Sequence, residues 1–170
     1  MRFLLLSVLV VFLVGIMVPS AFAEITITDD ATGGGCTTIG TWDSASKTCT
    51  LTSDVSEQIT IGSDGITLDG NSHTLDVPYL SFGIFAYDHS ELTVKNFNII
   101  STSSNTYGGI KFQGSLPADG SFKTKNITVE SNNISGSTLG TAITFELAYH
   151  PNQETYPLTN FIVKNNNIEN

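Results

Sequence analysis

Aromatic rings beside carboxylates, with a few histidines, are the residues here whose types suit chemistry. Tyr87, Asp88 and His89 are consecutive; Asp119 and Phe122 lie in one long irregular segment, Gln113 to Asn126. Glu146, Tyr149, His150, Glu154 and Tyr156 lie in another, Glu146 to Asn160. Aromatic faces stack on sugar rings and carboxylates accept bonds from hydroxyls, so the set suits saccharide recognition. Lys111 is the one strand lysine near these segments and joins the candidates. An alternative stays open, in which both segments are solvated loops whose aromatics cover the edge of a core.

Metal chemistry has a narrower basis. His89 and His150, with Asp88 or Glu146, have the donor types of a transition-metal site if the fold joins them. His73 sits in a strand-like motif and reads as structural. The Gly-Gly-x-Gly-x-Asp calcium repeat is absent, leaving scattered Asp for weak calcium binding, so no cofactor is expected. The clustered Asp residues of sugar-cleaving chemistry do not occur in the strand segments. No residue is assigned a catalytic role.

Charge and leader narrow the partners. Arg2, the apolar run Phe3 to Val18 and Ala21-Phe22-Ala23 have the form of a signal peptide cleaved before Glu24. The apolar run is too short for the roughly 20 residues a spanning helix needs, so no stable membrane span is expected after cleavage. The remaining chain has six Lys, no Arg and 16 acids, a net charge of −10 that repels phosphate backbones and argues against nucleic acid. Cys36 and Cys49 are the only cysteines, and in an oxidising compartment they are expected to pair. Asn126-Ile127-Thr128 and Asn133-Ile134-Ser135 match the N-glycosylation pattern, so Asn126 and Asn133 are candidate acceptors.

The candidate residues must be positioned by a repeat. Ile66-Thr67-Leu68-Asp69, Leu92-Thr93-Val94-Lys95, Ile127-Thr128-Val129-Glu130 and Phe161-Ile162-Val163-Lys164 share one alternating pattern, each a strand with one buried face. A second strand follows each copy: His73-Thr74-Leu75, Asn98-Ile99, Asn133-Ile134 and Asn167-Ile168. A third precedes each, at Ile59-Thr60-Ile61, Gly83-Ile84-Phe85-Ala86, Gly109-Ile110-Lys111-Phe112 and Ala142-Ile143-Thr144-Phe145. Three short strands per turn describe an all-β solenoid of about four coils stacked roughly 4.8 Å apart. Equivalent positions then become neighbours. Asp69, Lys95, Glu130 and Lys164 form a row of alternating charge, and Asn98, Asn133 and Asn167 a row of stacked amides whose residue type also tolerates a left-handed corner.

With its opening stretch Ile66-Thr67-Leu68-Asp69-Gly70-Asn71-Ser72-His73-Thr74-Leu75, the repeat resembles the pectate-lyase-like superfamily of right-handed parallel β-helices. The resemblance implies that fold over residues 50 to 170. It carries over no catalytic residue: for the lyases' basic Arg or Lys beside acidic calcium ligands the chain after the leader offers no Arg and only Lys111 as a strand lysine near the long segments, and the hydrolases' clustered Asp are not matched. Residues 1–23 are then the signal peptide, 24–57 an N-terminal capping segment with the disulfide, and 58–170 the β-helix. Gly33-Gly34-Gly35 in the cap reads as a turn, since the helix a phosphate cradle needs is missing. Ile168-Glu169-Asn170 ends inside a strand, so a fragment of a longer chain is expected; stacking of another chain on that edge is the alternative. The expected function is an exported protein contacting extracellular polysaccharide or another cell-surface component. Two alternatives are a lyase or hydrolase whose catalytic coils lie elsewhere, and a structural surface-layer or adhesin segment.

Overall fold

The computed structural model describes residues 24–115, 123–147 and 160–169. In chain order it begins with β1 (Glu24–Ile27), a single helical turn α1 (Cys36–Ile39), β2 (Gly40–Asp43) and β3 (Thr48–Leu51). Three strands follow as a set, β4 (Gln58–Ile61), β5 (Thr67–Asp69) and β6 (Thr74–Asp76). The pattern recurs as β7 (Phe82–Tyr87), β8 (Thr93–Lys95) and β9 (Asn98–Ile100), then as β10 (Gly108–Gly114), β11 (Ile127–Glu130) and β12 (Asn133–Ser135). The last set is β13 (Ile143–Leu147), β14 (Phe161–Lys164) and β15 (Asn167–Glu169).

Each set contributes one strand to each of three sheets. Their orders are β1-β4-β7-β10-β13, then β14-β11-β8-β5-β3-β2, then β15-β12-β9-β6. All pairings between sets are parallel, and β2 with β3 is the antiparallel exception. The expected all-β class is therefore correct, with stacked strands in parallel sheets. Among the described residues no helix is long and apolar enough to cross a membrane.

The two-residue alternation explains the core. Leu68 pairs with Val94, Val94 with Val129 and Val129 with Val163, while Ile59, Ile84, Ile110 and Ile143 stack in the first sheet. Leu75, Ile99, Ile134 and Ile168 do the same in the third. Along a strand every second side chain faces inward, so in-register stacking turns dispersed aliphatics into continuous columns. Most of these side chains have no exposed surface. Val163 and Ile168 in the last set are 50% and 54% exposed, because no described strand lies beyond them.

Corners are made by left-handed backbone. Gly65 and Glu91 two residues before the second-sheet strands β5 and β8, and Asn126 and Asn160 directly before β11 and β14, have positive φ, as do Asn96, Ser131 and Asn165 immediately after three of these strands. Asn suits these positions because its short polar side chain tolerates that conformation. The sequence reading attached this role to Asn98, Asn133 and Asn167, which instead begin strands β9, β12 and β15 in register. The left-handed turn lies two residues earlier.

Residues 24–57 do more than cap. β1 joins the first sheet beside β4, β3 the second beside β5, and Val55 bridges Leu75 beside the third. Apolar alternation at Ile25 and Ile27 matches that of Ile59 and Ile61, so the segment adds a partial turn to all three sheets. Its outer edges are then covered. The Gly35 amide donates to the Thr26 carbonyl (2.8 Å), and β2 pairs along β3. Gly33 (φ 70°) makes the turn, as expected, with the Trp42 ring packed where a side chain would start. Trp42 Nε1 donates to the Asp30 carbonyl at 3.0 Å. Amides of Gly34 and Thr32 and hydroxyls of Thr28 and Thr32 point at the Asp30 carboxylate and hold it well below the usual carboxylate range. The Cys36–Cys49 disulfide is formed, tying α1 to the foot of the Leu68 column, which Cys49 begins.

Candidate functional site

The outward rows of the first sheet bring several candidates together. Thr60, Phe85, Lys111 and Thr144 occupy one row, and Tyr87, Gln113 and Glu146 the next. Gln113 and Glu146 were expected as the first residues of loops. Instead β10 and β13 run to Gly114 and Leu147, because the pairings Tyr87 with Gln113 and Gln113 with Glu146 prolong the ladder.

Lys111 sits at the centre of this face. Its ammonium is 2.7 Å from the Glu146 carboxylate and 5.0 Å from the centre of the Phe82 ring. Only 14% of the side chain is exposed, so the cation is neutralised by a carboxylate on one side and a ring quadrupole on another. Phe82 in turn lies 6.3 Å from Phe85, stacked at 20°, and 5.6 Å from Tyr107. Tyr107 and Tyr87 are 52% and 45% exposed. Sequence reasoning passed over Phe82, Phe85 and Tyr107. Alternation did mark Phe85 as outward, and a phenylalanine facing solvent from a half-buried strand was the available signal.

A groove of about 230 Å³ opens here, lined by Gln58, Leu80, Ser81, Phe82, Phe85, Tyr107, Lys111 and Gln113. It is smaller than the roughly 300–1,000 Å³ of enclosing small-molecule pockets. Such a shape suits part of an extended ligand lying across the sheet. Ser81 Oγ donates to Gln58 Oε1 (2.5 Å), and Gln58 Nε2 to Thr60 Oγ1 (3.1 Å), fixing the polar rim.

The remaining candidates are placed elsewhere. Both Asp88 oxygens are taken by Ser115, through its amide (2.5 Å) and hydroxyl (2.6 Å), which fastens one turn to the next. His89 Nδ1 lies 3.1 Å from Asp64 Oδ1 in the preceding turn, and His73 Nδ1 3.4 Å from Asp54 Oδ1. The structural reading of His73 fits that inter-turn contact. Among the described residues no three His, Cys, Asp or Glu side chains converge on a point that would hold a metal ion. Asp119, Phe122, Tyr149, His150, Glu154 and Tyr156 lie outside the described residues.

Two further rows are structural. Lys95 meets Asp69 at 3.3 Å and Lys164 meets Glu130 at 2.9 Å, as the alternating charges required. Burial opposes ionisation of Asp69, but bonds from Asn96, the Asn71 amide and Lys95 hold its carboxyl below the ordinary value. In the outer amide row Asn133 donates to Asn98 and Asn167 to Asn133, each at 2.9 Å. A second, inner ladder escaped the sequence reading. Asn132 is buried; its Oδ1 accepts from the Phe97 amide (3.0 Å), and its Nδ2 donates to Asn166 Oδ1 (3.0 Å) and the Val94 carbonyl (3.2 Å). Of the two glycosylation candidates, Asn133 uses its Nδ2 in the outer ladder, whereas Asn126 accepts through Oδ1 from Asn160 at 2.8 Å.

Comparison with protein-family models, curated proteins and solved structures finds no significant match to this chain.

Proposed function

We propose that the chain is an exported right-handed parallel β-helix of the pectate-lyase-like kind that binds polysaccharide at the cell surface through the outer face of its first sheet. The cyclic passage through three sheets supports the β-helix, and the strong right-handed preference of parallel crossovers supports its hand. Export is supported by the Cys36–Cys49 bridge, a bond that persists in oxidising compartments. The observation that carries the binding reading is the set Phe82, Phe85 and Tyr107, exposed or half-buried on a parallel sheet face around a shallow polar-rimmed groove. Solvent-facing rings clustered on one face cost solvation unless a ligand covers them, and sugars offer the apolar C–H faces that do so.

The test is retention of the secreted protein on insoluble polysaccharides. The double variant Phe85→Ala/Tyr107→Ala should lose retention while its far-UV circular dichroism stays that of the parent. Equal retention of parent and variant refutes the assignment of this face. Release of reducing or unsaturated sugar ends during the assay moves the reading to a hydrolase or lyase.

A further inference from the structure

We infer that the first-sheet groove selects neutral polysaccharide and rejects uronate-rich or sulfated chains. The inference rests on the glycan-binding reading above and names its ligand class. Three observations carry it. Among the described residues Lys111 is the sole cation lining the groove, and its charge is already spent on Glu146 at 2.7 Å and the Phe82 ring at 5.0 Å. The other polar groups lining it, on Gln58, Ser81, Tyr107 and Gln113, are uncharged amides and hydroxyls matched to sugar hydroxyls. Around it the chain from Glu24 onward has a net charge of −10, a field that opposes an approaching polyanion.

A uronate carboxylate entering the groove would have to displace Glu146 from Lys111 or remain without a counter-charge. Either route loses an interaction already made, whereas a neutral pyranose stacks on Phe85 and Tyr107 and leaves the ion pair intact. Glu146 is thus a specificity-determining residue: it holds the lysine in a form that does not attract anions. Its side chain is 48% exposed and is not part of the core, so replacing it changes the charge with little effect on packing.

Binding of the secreted chain to xyloglucan, a neutral chain, and to polygalacturonate, an anionic one, is the test, run at low and high salt. Xyloglucan should bind with an affinity unchanged up to about 1 M salt, where charges are screened within roughly 3 Å. Polygalacturonate should bind at least about tenfold more weakly. Glu146→Gln releases Lys111 and should tighten polygalacturonate binding by about threefold or more at low salt, an effect that salt removes. Stronger binding of polygalacturonate by the parent protein, lost in Phe85→Ala/Tyr107→Ala, overturns the neutral-ligand inference and leaves the binding face standing. No gain in Glu146→Gln overturns the role given to Glu146. Binding of neither polymer by the folded chain overturns both.

Discussion

Replacing Asn132 by alanine should cost about 3 kcal/mol of stability, whereas the same change at the adjacent Asn133 should cost less than about 1 kcal/mol. The two side chains belong to parallel ladders on opposite sides of one backbone. Asn132 is 1% exposed, and truncating it leaves the Phe97 amide without its 3.0 Å partner in a place closed to water and removes a 3.2 Å bond to the Val94 carbonyl, which keeps the ladder bond that pairing of β8 with β11 provides. The unsatisfied buried amide costs about 1–3 kcal/mol, and the lost bond to the Val94 carbonyl adds about 0.5–1.5 kcal/mol. The bond to Asn166 at 3.0 Å is lost as well. Asn133 also loses two bonds of 2.9 Å, to Asn98 and Asn167, but in an exposed row where water replaces them. Urea unfolding followed by Trp42 fluorescence and far-UV circular dichroism measures both variants. Equal m-values would assign the whole difference to stability. For a domain of this size the melting temperature of Asn132→Ala should fall by roughly 6–12 °C. Equal losses in the two variants, or a larger one in Asn133→Ala, would refute the inner ladder as the stronger fastener.

Other outcomes follow from the same geometry. Leu68→Ala empties a fully buried site and should cost about 2–5 kcal/mol, while Val163→Ala at the equivalent but half-exposed position should cost less than about 1 kcal/mol; urea midpoints decide. Reducing the Cys36–Cys49 bridge, whose cysteines are 13 residues apart, should lower the unfolding free energy by about 3 kcal/mol, read as the shift on adding dithiothreitol. Acid should destabilise the fold through carboxylates depressed in the native state. The Thr74 amide and, less strongly, His73 hold the Asp54 carboxyl below its ordinary value, and Asp69 is held down by Asn96, Asn71 and Lys95. Their contribution is complete above about pH 4 and lost as pH falls through the lower folded values, so Asp69→Asn should flatten the acid limb of stability against pH. Amino-terminal sequencing of the secreted protein should begin at Glu24, and any other start corrects the assigned cleavage site.

Much of this architecture is legible in the sequence by itself, because period-two alternation decides which side chains face inward whatever the fold around them. Leu68, Val94, Val129 and Val163 are identifiable as one column from pattern alone. The charge row Asp69, Lys95, Glu130 and Lys164 checks its register, since like charges stacked in adjacent turns would repel. The disulfide needs only two cysteines and an oxidising setting. Tertiary structure alone decided the rest. Residues 24–57 resemble a cover in sequence, yet β1 and β3 join the sheets, because strand pairing depends on a neighbouring edge that no local pattern reveals. Asn132 and Asn133 are chemically identical, and only the direction of the corner sends one to the core and the other to solvent. The same holds for the binding face. Lys111 is a strand lysine in the sequence, but its neutralisation by Glu146 and Phe82 comes from residues 35 positions ahead and 29 behind, brought within a few ångströms by the stacking of successive turns.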